Sequence, residues 1–438
     1  MRQYRPEVEP DGSADVIVCG AGPAGLCAAI AAGRSGARVL LIERYGFVGG
    51  MSTAALVYPW MTFHDRAGQQ VVHGLAQEIV DRLRAVGGSP GHLRDTVGFV
   101  HSLTPFDPDL YRIVADRMLA EAGCRVLHHA LLADVGTEGD RLTAVSVQTL
   151  SGRLVFQART FVDATGDATL CCLAGLPMQE DVIGSAVQPM TMCFRVGGVD
   201  LGPVDRYIRE NPDEFHEATL VGHQPLTGVS GFFSLWREAE LPVPRDRLLF
   251  FAGTRPGQAY MNTSRILGRD GTDPAGLSEA EREGRRQADV ICRFLRERVA
   301  GFAESYLDCL PAQVGIRETR RIRGEFTLTA DHACQGARFE DAVARSAYPI
   351  DIHSPTGSGM VFSGPPRAPY DIPFRCLVPV GVRNVLAAGR CISATHEGHA
   401  STRLTPTCMM MGESAGRAAA WSALSGRDVR EWEPEVRV

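Results

Sequence analysis

Near its start the chain reads Asp15-Val-Ile-Val-Cys-Gly-Ala-Gly-Pro-Ala-Gly25, and an alanine-rich stretch then leads to Arg38-Val-Leu-Leu-Ile-Glu43. The small and apolar residues before Gly20 read as a buried parallel strand, Gly20, Gly22 and Gly25 as a GxGxxG turn, and 26–33 as the helix that follows. Each glycine has its own reason. Gly20 permits the tight turn, Gly22 lets the backbone approach a pyrophosphate, and Gly25 lets helix and strand pack closely. The N-terminus of that helix presents oriented N–H groups to an anion. Glu43, closing the second strand, is placed to accept hydrogen bonds from adenosine ribose hydroxyls. Strand, turn, helix, strand and acid in register predict a dinucleotide site at the carboxyl edge of a parallel sheet.

Two later stretches return to that edge. Thr160-Phe-Val-Asp-Ala-Thr-Gly-Asp167 is an apolar strand ending in a glycine turn, and Asn384-Val-Leu-Ala-Ala-Gly-Arg-Cys391 repeats the strand-to-glycine stop. The pattern resembles FAD-dependent enzymes of the glutathione reductase structural class. More closely it resembles the bacterial FAD-dependent oxidoreductases, distant relatives of the fumarate reductase and succinate dehydrogenase flavoproteins. The closer resemblance rests on Glu43-Arg-Tyr-Gly-Phe-Val-Gly-Gly-Met-Ser-Thr53, Gln188-Pro-Met-Thr-Met-Cys-Phe-Arg-Val-Gly-Gly198, Val314-Gly-Ile-Arg-Glu-Thr-Arg-Arg321, Tyr348-Pro-Ile-Asp-Ile-His353 and His396-Glu-Gly-His-Ala-Ser-Thr-Arg403.

The resemblance implies an α/β fold: a Rossmann-like FAD-binding domain, a parallel sheet with a β-meander, plus an inserted α+β substrate-capping domain. It also implies a cofactor cradle of Gly20, Gly22, Pro23, Ala24, Gly25, Glu43, Arg44, Gly49, Gly50, Met51, Ser52, Ala164, Thr165, Gly166, Gly389 and Arg390. In the succinate dehydrogenase relatives a His just before the Gly-Gly pair carries covalent FAD. No His lies between Leu26 and Phe63 here, so non-covalent FAD is expected. A second GxGxxG followed by a strand and an acid is missing, which argues against a separate nicotinamide-binding domain.

With 438 residues the chain can bury a large core in two intertwined domains. The FAD-binding domain is expected from 14–58, 109–175 and 375–423, the cap from 59–108 and 176–374, with flexible termini at 1–13 and 424–438. Amphipathic helices are expected over 72–86 and 109–123 and a long charged helix over 278–298. Three short strands near 125–135, 141–149 and 153–158 should form the meander.

A net charge of -6 argues against an electrostatic nucleic-acid footprint. All 45 cationic side chains are Arg. The absence of Lys excludes lysine Schiff-base chemistry and covalent pyridoxal phosphate. The 12 Cys residues show no CxxC or ferredoxin-like spacing, so neither zinc nor an iron–sulfur cluster is expected. Adjacent Cys171 and Cys172 read as small thiols at a strand-to-helix junction, with a redox pair as the alternative. No signal peptide or membrane-spanning run is apparent, which points to a cytoplasmic protein; the partners expected are a small-molecule substrate and, among protein partners, a second copy of the chain as a homo-oligomer.

The catalytic candidates are His399, Arg403 and His353. By resemblance to the His-Gly-Ala-Asn-Arg segment of fumarate reductases, Arg403 would hold an anionic or carbonyl group and His399 would lie near the flavin. Leu404-Thr-Pro406 departs from the glycine-rich continuation of that segment, so dicarboxylate specificity does not carry over. Asp351 and His353 alternate on a strand and share a face, so the Asp could orient the His as a general base. His396 is a further candidate. Arg317-Glu-Thr-Arg-Arg321 could contact substrate or flavin, or form an internal Arg–Glu network. The expected activity is hydride transfer between a small organic substrate and FAD, then to oxygen or another acceptor. A flavin-dependent C=C reductase and a flavin electron-transfer subunit are the alternatives.

Overall fold

The structure, a computed structural model, describes residues 7–181, 187–362 and 366–434. Its organising element is a seven-stranded sheet. Arg125–Leu127, Val39–Ile42, Glu7–Cys19 and Gly152–Asp163 run side by side in parallel, and Val385–Ala387 joins the last of these, also parallel. Leu131–Glu138 and Arg141–Thr149 extend the sheet as an antiparallel meander. Val16, Ile17 and Val18 are fully buried because helices cover one face and the meander side the other.

The helix Pro23–Arg34 starts at Gly22 with proline in its first turn, where the missing N–H costs nothing. It packs along Thr405–Ser425 at very short range. A Cβ on Gly412 would stand 2.0 Å from the Ala24 carbonyl oxygen, and one on Gly416 2.1 Å from that of Ala28. This contact brings the last helix, and with it Arg403, back to the glycine turn.

A second sheet has five antiparallel strands in the order Gly228–Gly231, Leu248–Ala252, Ala259–Met261, Phe194–Gly197 and Tyr306–Cys309. It has its own core, in which Phe194, Phe250, Ile291 and Leu295 are buried together. The long helix Pro274–Arg298 lies over it, capped by Asp273, whose carboxylate accepts from the N–H groups of Ala275 and Gly276. Its exposed face carries i,i+3 and i,i+4 Arg–Glu pairs.

Three expectations change. The stretch 125–135 is two strands, because His129 adopts φ 54° and breaks the run, and the first strand joins the parallel sheet instead of the meander. The third meander strand and Thr160–Asp163 are one continuous strand, Gly152–Asp163, since no glycine or proline interrupts it after its first residue. Of the termini expected to be flexible, 1–6 and 435–438 lie outside the described residues. Residues from Glu7 belong to the first strand, and Thr405–Ser425 is followed by the 3-10 turn Val429–Glu431.

Candidate active site

Two cavities meet at the carboxyl edge of the parallel sheet. The first is a cleft lined by Gly20, Gly22, Pro23, Ala24, Glu43, Arg44, Gly50, Met51, Ala164, Thr165, Gly166, Gly389 and Arg390, all sequence-predicted. The second, of about 580 Å³, lies against the second sheet, where Ser230, Leu249 and Phe251 line it. Met51, Arg390, Arg403 and Thr405 line both.

The cleft is built by close backbone approach. Gly20 has φ +94°, and a Cβ there would meet the Ala164 carbonyl oxygen at 2.5 Å. Gly25 lines neither cavity. A Cβ on it would stand 1.8 Å from the Gly20 oxygen, so its role is the helix–strand contact. Gly22 differs: the nearest atom to a Cβ there is Gly50 Cα at 3.8 Å, so the space beside it is open. No side chain caps this helix start. An open helix N-terminus edged by small residues suits a pyrophosphate. Glu43 is buried, with Oε2 accepting from the Ala21 N–H at 2.7 Å and Oε1 from the Tyr45 N–H at 2.9 Å. It therefore braces the turn, and each oxygen keeps a lone pair for a ribose hydroxyl.

Other predicted positions support the cleft from behind. The Gly49 N–H donates to the Ala21 oxygen at 2.8 Å. Ser52 is fully buried and its Oγ accepts from Trp60 Nε1 at 3.1 Å. Asp163 is fully buried and accepts from Thr165 N–H and Oγ1 and from the Cys171 N–H. Burial pushes its carboxyl up, against those hydrogen bonds. Arg390 pairs with Asp167 at 3.1 Å, while its Nη1 is buried without a partner. Sequence reasoning missed Tyr45, Ala130, Leu131, Leu132 and Cys408 in the cleft lining. Nothing local in 130–132 marks that role; the segment reaches the cleft through tertiary contacts.

The larger cavity has an aromatic wall. Tyr58 stacks on Tyr260 at 3.9 Å between ring centroids, and Trp60 on Phe106 at 4.3 Å. Tyr348, Asp351, His353 and Arg403 line it as well. The Tyr348 hydroxyl donates to Asp351 Oδ2 at 3.1 Å, and Arg403 Nη2 approaches the same oxygen at 3.4 Å. Burial opposes ionisation of Asp351, but His353, Arg403 and Arg317 outweigh it and hold its carboxyl well below the usual carboxylate range.

The histidines do not take the roles the sequence suggested. His353 lines the larger cavity, but Arg265 Nη2 donates to its Nδ1 at 2.9 Å, leaving Nε2 facing Asp351 at 3.4 Å. Burial, and then the Arg317 charge, lower it to about 3. A neutral imidazole with its lone pair engaged is not a general base near neutral pH. His399 is fully buried and lines neither cavity. Burial pushes it well below the usual imidazole range, so it is a neutral core residue. His396 Nδ1 sits 2.9 Å from Glu318, which also meets Arg321 at 3.3 Å.

The Arg317–Arg321 stretch divides its labour. Glu318 and Arg321 form the internal network with His396 and Asp181. Arg320 donates to the Asp167 carbonyl and to Cys172 Sγ, whereas Cys171 is buried with its thiol pushed up by burial. Arg317 faces the larger cavity. Among the described residues no helix is long and apolar enough to cross a membrane.

A glycine-cradled cleft at the edge of a parallel sheet, opening into a second cavity under a separate sheet, defines a dinucleotide-dependent oxidoreductase. Residues 15–435 match the model of the FAD dependent oxidoreductase family; the chain belongs to that family, and its cofactor is FAD. A stretch of 165 residues is 34% identical to thiamine thiazole synthase of Aeropyrum pernix, covering 35% of this chain and 54% of that protein. Another, of 106 residues, is 35% identical to urocanate reductase of Eggerthella lenta, covering 23% of this chain and 14% of that one. The chain thus spans about half or less of the length of these relatives. A geranylgeranyl bacteriochlorophyll reductase-like protein of Thermoplasma acidophilum shares the fold, with a TM-score of 0.50 at 12% identity over 94% of this chain and 78% of that one.

Proposed function

We propose that this FAD-dependent oxidoreductase transfers a hydride between a small organic substrate in the 580 Å³ cavity and FAD, then passes electrons to oxygen or another acceptor. The observation that carries this reading is the junction. Arg403 and Met51 line both cavities, so a substrate and the cofactor's reactive ring would meet beside them. The cleft residues from Gly20 to Ala24, with Glu43, Arg44, Thr165, Gly389 and Arg390, would hold the cofactor. The sheet residues 14–58, 109–175 and 375–423 would form its domain, and 59–108 and 176–374 the cap.

Bound FAD supplies the hydride chemistry. The protein's own part is to orient the substrate and exclude water. Arg403, steadied by the Asp351 carbonyl and carboxylate, presents a cation to the substrate at the junction. The aromatic wall of Tyr58 and Trp60 excludes water. Tyr348 donates to Asp351 Oδ2, and the Asp351 carboxylate, held ionised by its neighbours, keeps the Arg403 guanidinium in place. Catalytic roles for His353 and His399 are not retained.

A second reading has the hydride passing the other way, to an activated C=C bond; the segment shared with a reductase supports it. The test is anaerobic bleaching of the bound flavin by a panel of amines, alcohols, hydroxy acids and amino acids. Arg403→Ala should retain FAD and slow bleaching by about 100-fold. Bleaching at the wild-type rate in that variant would remove Arg403 from the mechanism. Reoxidation of the photoreduced protein in air then separates an oxidase, which is fast and releases peroxide, from a dehydrogenase or reductase.

A further inference from the structure

The larger cavity holds more positive charge than its hydride-transfer role explains. Arg245 is 8% exposed, lines this cavity and not the cleft, and its guanidinium makes no hydrogen bond or ion pair among the described residues. Arg317 lines the same wall. Its Nη1 donates only to neutral oxygens, the Pro189 carbonyl at 2.7 Å and Thr191 Oγ1 at 2.6 Å. Behind them Arg265, 2% exposed, donates to the Gly357 and Gly359 carbonyls and to His353, again with no carboxylate.

Of the nearby acids, Glu217 lines the cavity but is exposed to solvent and makes no ion pair with either arginine among the described residues, and the others are engaged elsewhere. Asp95 is consumed by the N–H groups of Val97, Phe99 and Val100. Asp246 is held in a two-pronged pair by Arg247. Asp351 is shared among Tyr348, His353 and Arg403. Burial lowers Arg245 and Arg317 to about 10, so both remain cations at neutral pH. A buried guanidinium without an anion is costly, and the forked N–H groups of arginine match a carboxylate.

We propose that Arg245 and Arg317 form a carboxylate-binding subsite on the cap side of the cavity, so that the substrate is a small carboxylate held there while its reacting carbon lies toward Arg403. This rests on the hydride-transfer reading for the reacting end only. The anion site itself stands on the unpaired, cavity-lining guanidinium groups.

The test is thermal unfolding of the FAD-loaded protein in chloride-free buffer with acetate, malonate, benzoate and phenylacetate, each compared with its neutral amide. At least one carboxylate should raise the melting temperature and its amide should not. Arg245→Met and Arg317→Met should each weaken the effect at least about tenfold in concentration. Arg206→Met, an exposed cap-helix control outside both cavities, should not. Arg245→Lys keeps the charge without the fork and should retain part of the effect, which covers the case of a poorly folded methionine variant. No stabilisation by any of the carboxylates would overturn the proposal, as would equal stabilisation by the amides or undiminished stabilisation in the Met variants. Stabilisation by a carboxylate, with no bleaching of the flavin by any amine, alcohol, hydroxy acid or amino acid of the donor panel, would leave the subsite standing and remove the hydride-transfer reading.

Discussion

The two glycines at the ends of the GxxG spacing make a sharp contrast when replaced by alanine. At Gly25 the new methyl would stand 1.8 Å from the Gly20 oxygen and 3.0 Å from Ala164 Cβ, against a normal separation near 3.4 Å or more. Helix and strand would have to part by more than an ångström, at the 1–3 kcal/mol typical of overpacking, or about that range. Gly22 already has extended backbone, φ -66° and ψ -178°, which alanine adopts freely. The nearest protein atom to its new Cβ is 3.8 Å away. The gain from a stiffer unfolded chain, about 0.4–1 kcal/mol, roughly offsets the loss of a better N-cap. Gly22→Ala should therefore leave apoprotein stability within about 0.5 kcal/mol of wild type. Its methyl would nevertheless stand where the pyrophosphate must approach, and FAD affinity should fall at least about tenfold. Gly25→Ala should lose both. Urea unfolding of the apoproteins and flavin-fluorescence titration separate the two effects. Wild-type FAD affinity in Gly22→Ala would refute the placement of the pyrophosphate at this helix start.

Gly416→Ala would bring a methyl within 2.1 Å of the Ala28 oxygen, so denaturant unfolding should show a loss of about 1–3 kcal/mol. Asp351→Asn removes the anion shared by Arg403, Tyr348 and His353. It should cost about 3 kcal/mol in the same assay because Arg403 is left partly buried without a counter-charge, and wild-type stability would contradict that account. Acid should weaken the fold below about pH 6.5. Burial lowers His64, His92 to about 4, His353 to about 3 and His399 well below normal, so the unfolded chain binds more protons as pH falls through this range. His396, raised by Glu318 against the effect of burial, acts oppositely: its contribution is present at low pH and is lost as pH rises through its folded pKa. The net slope should be on the order of 2–4 kcal/mol per pH unit at its steepest. A melting temperature that rose between pH 7 and pH 5 would contradict it.

The glycine cradle, the alternation of strands and helices and the FAD assignment are legible in the sequence because their determinants are local. A turn that needs positive φ at Gly20 and an open methyl-sized space at Gly22 is written within a few residues, and so are the apolar strands on either side. Strand boundaries were less so. His129 in the left-handed region splits one expected strand.

The chemistry of the larger cavity belongs to tertiary structure. In a chain whose every cation is Arg, the sequence cannot distinguish Arg245 and Arg317, which line the cavity, from Arg321, which is locked to Glu318 and Asp181. Nor can it separate His353, facing that cavity with its lone pair taken by Arg265, from His399, sealed in the core. Those differences depend on partners 88 residues apart for Arg265 and His353 and 52 for Asp351 and Arg403. The charge and burial each side chain meets are set by which distant segments the two sheets bring together, and that is decided only by folding.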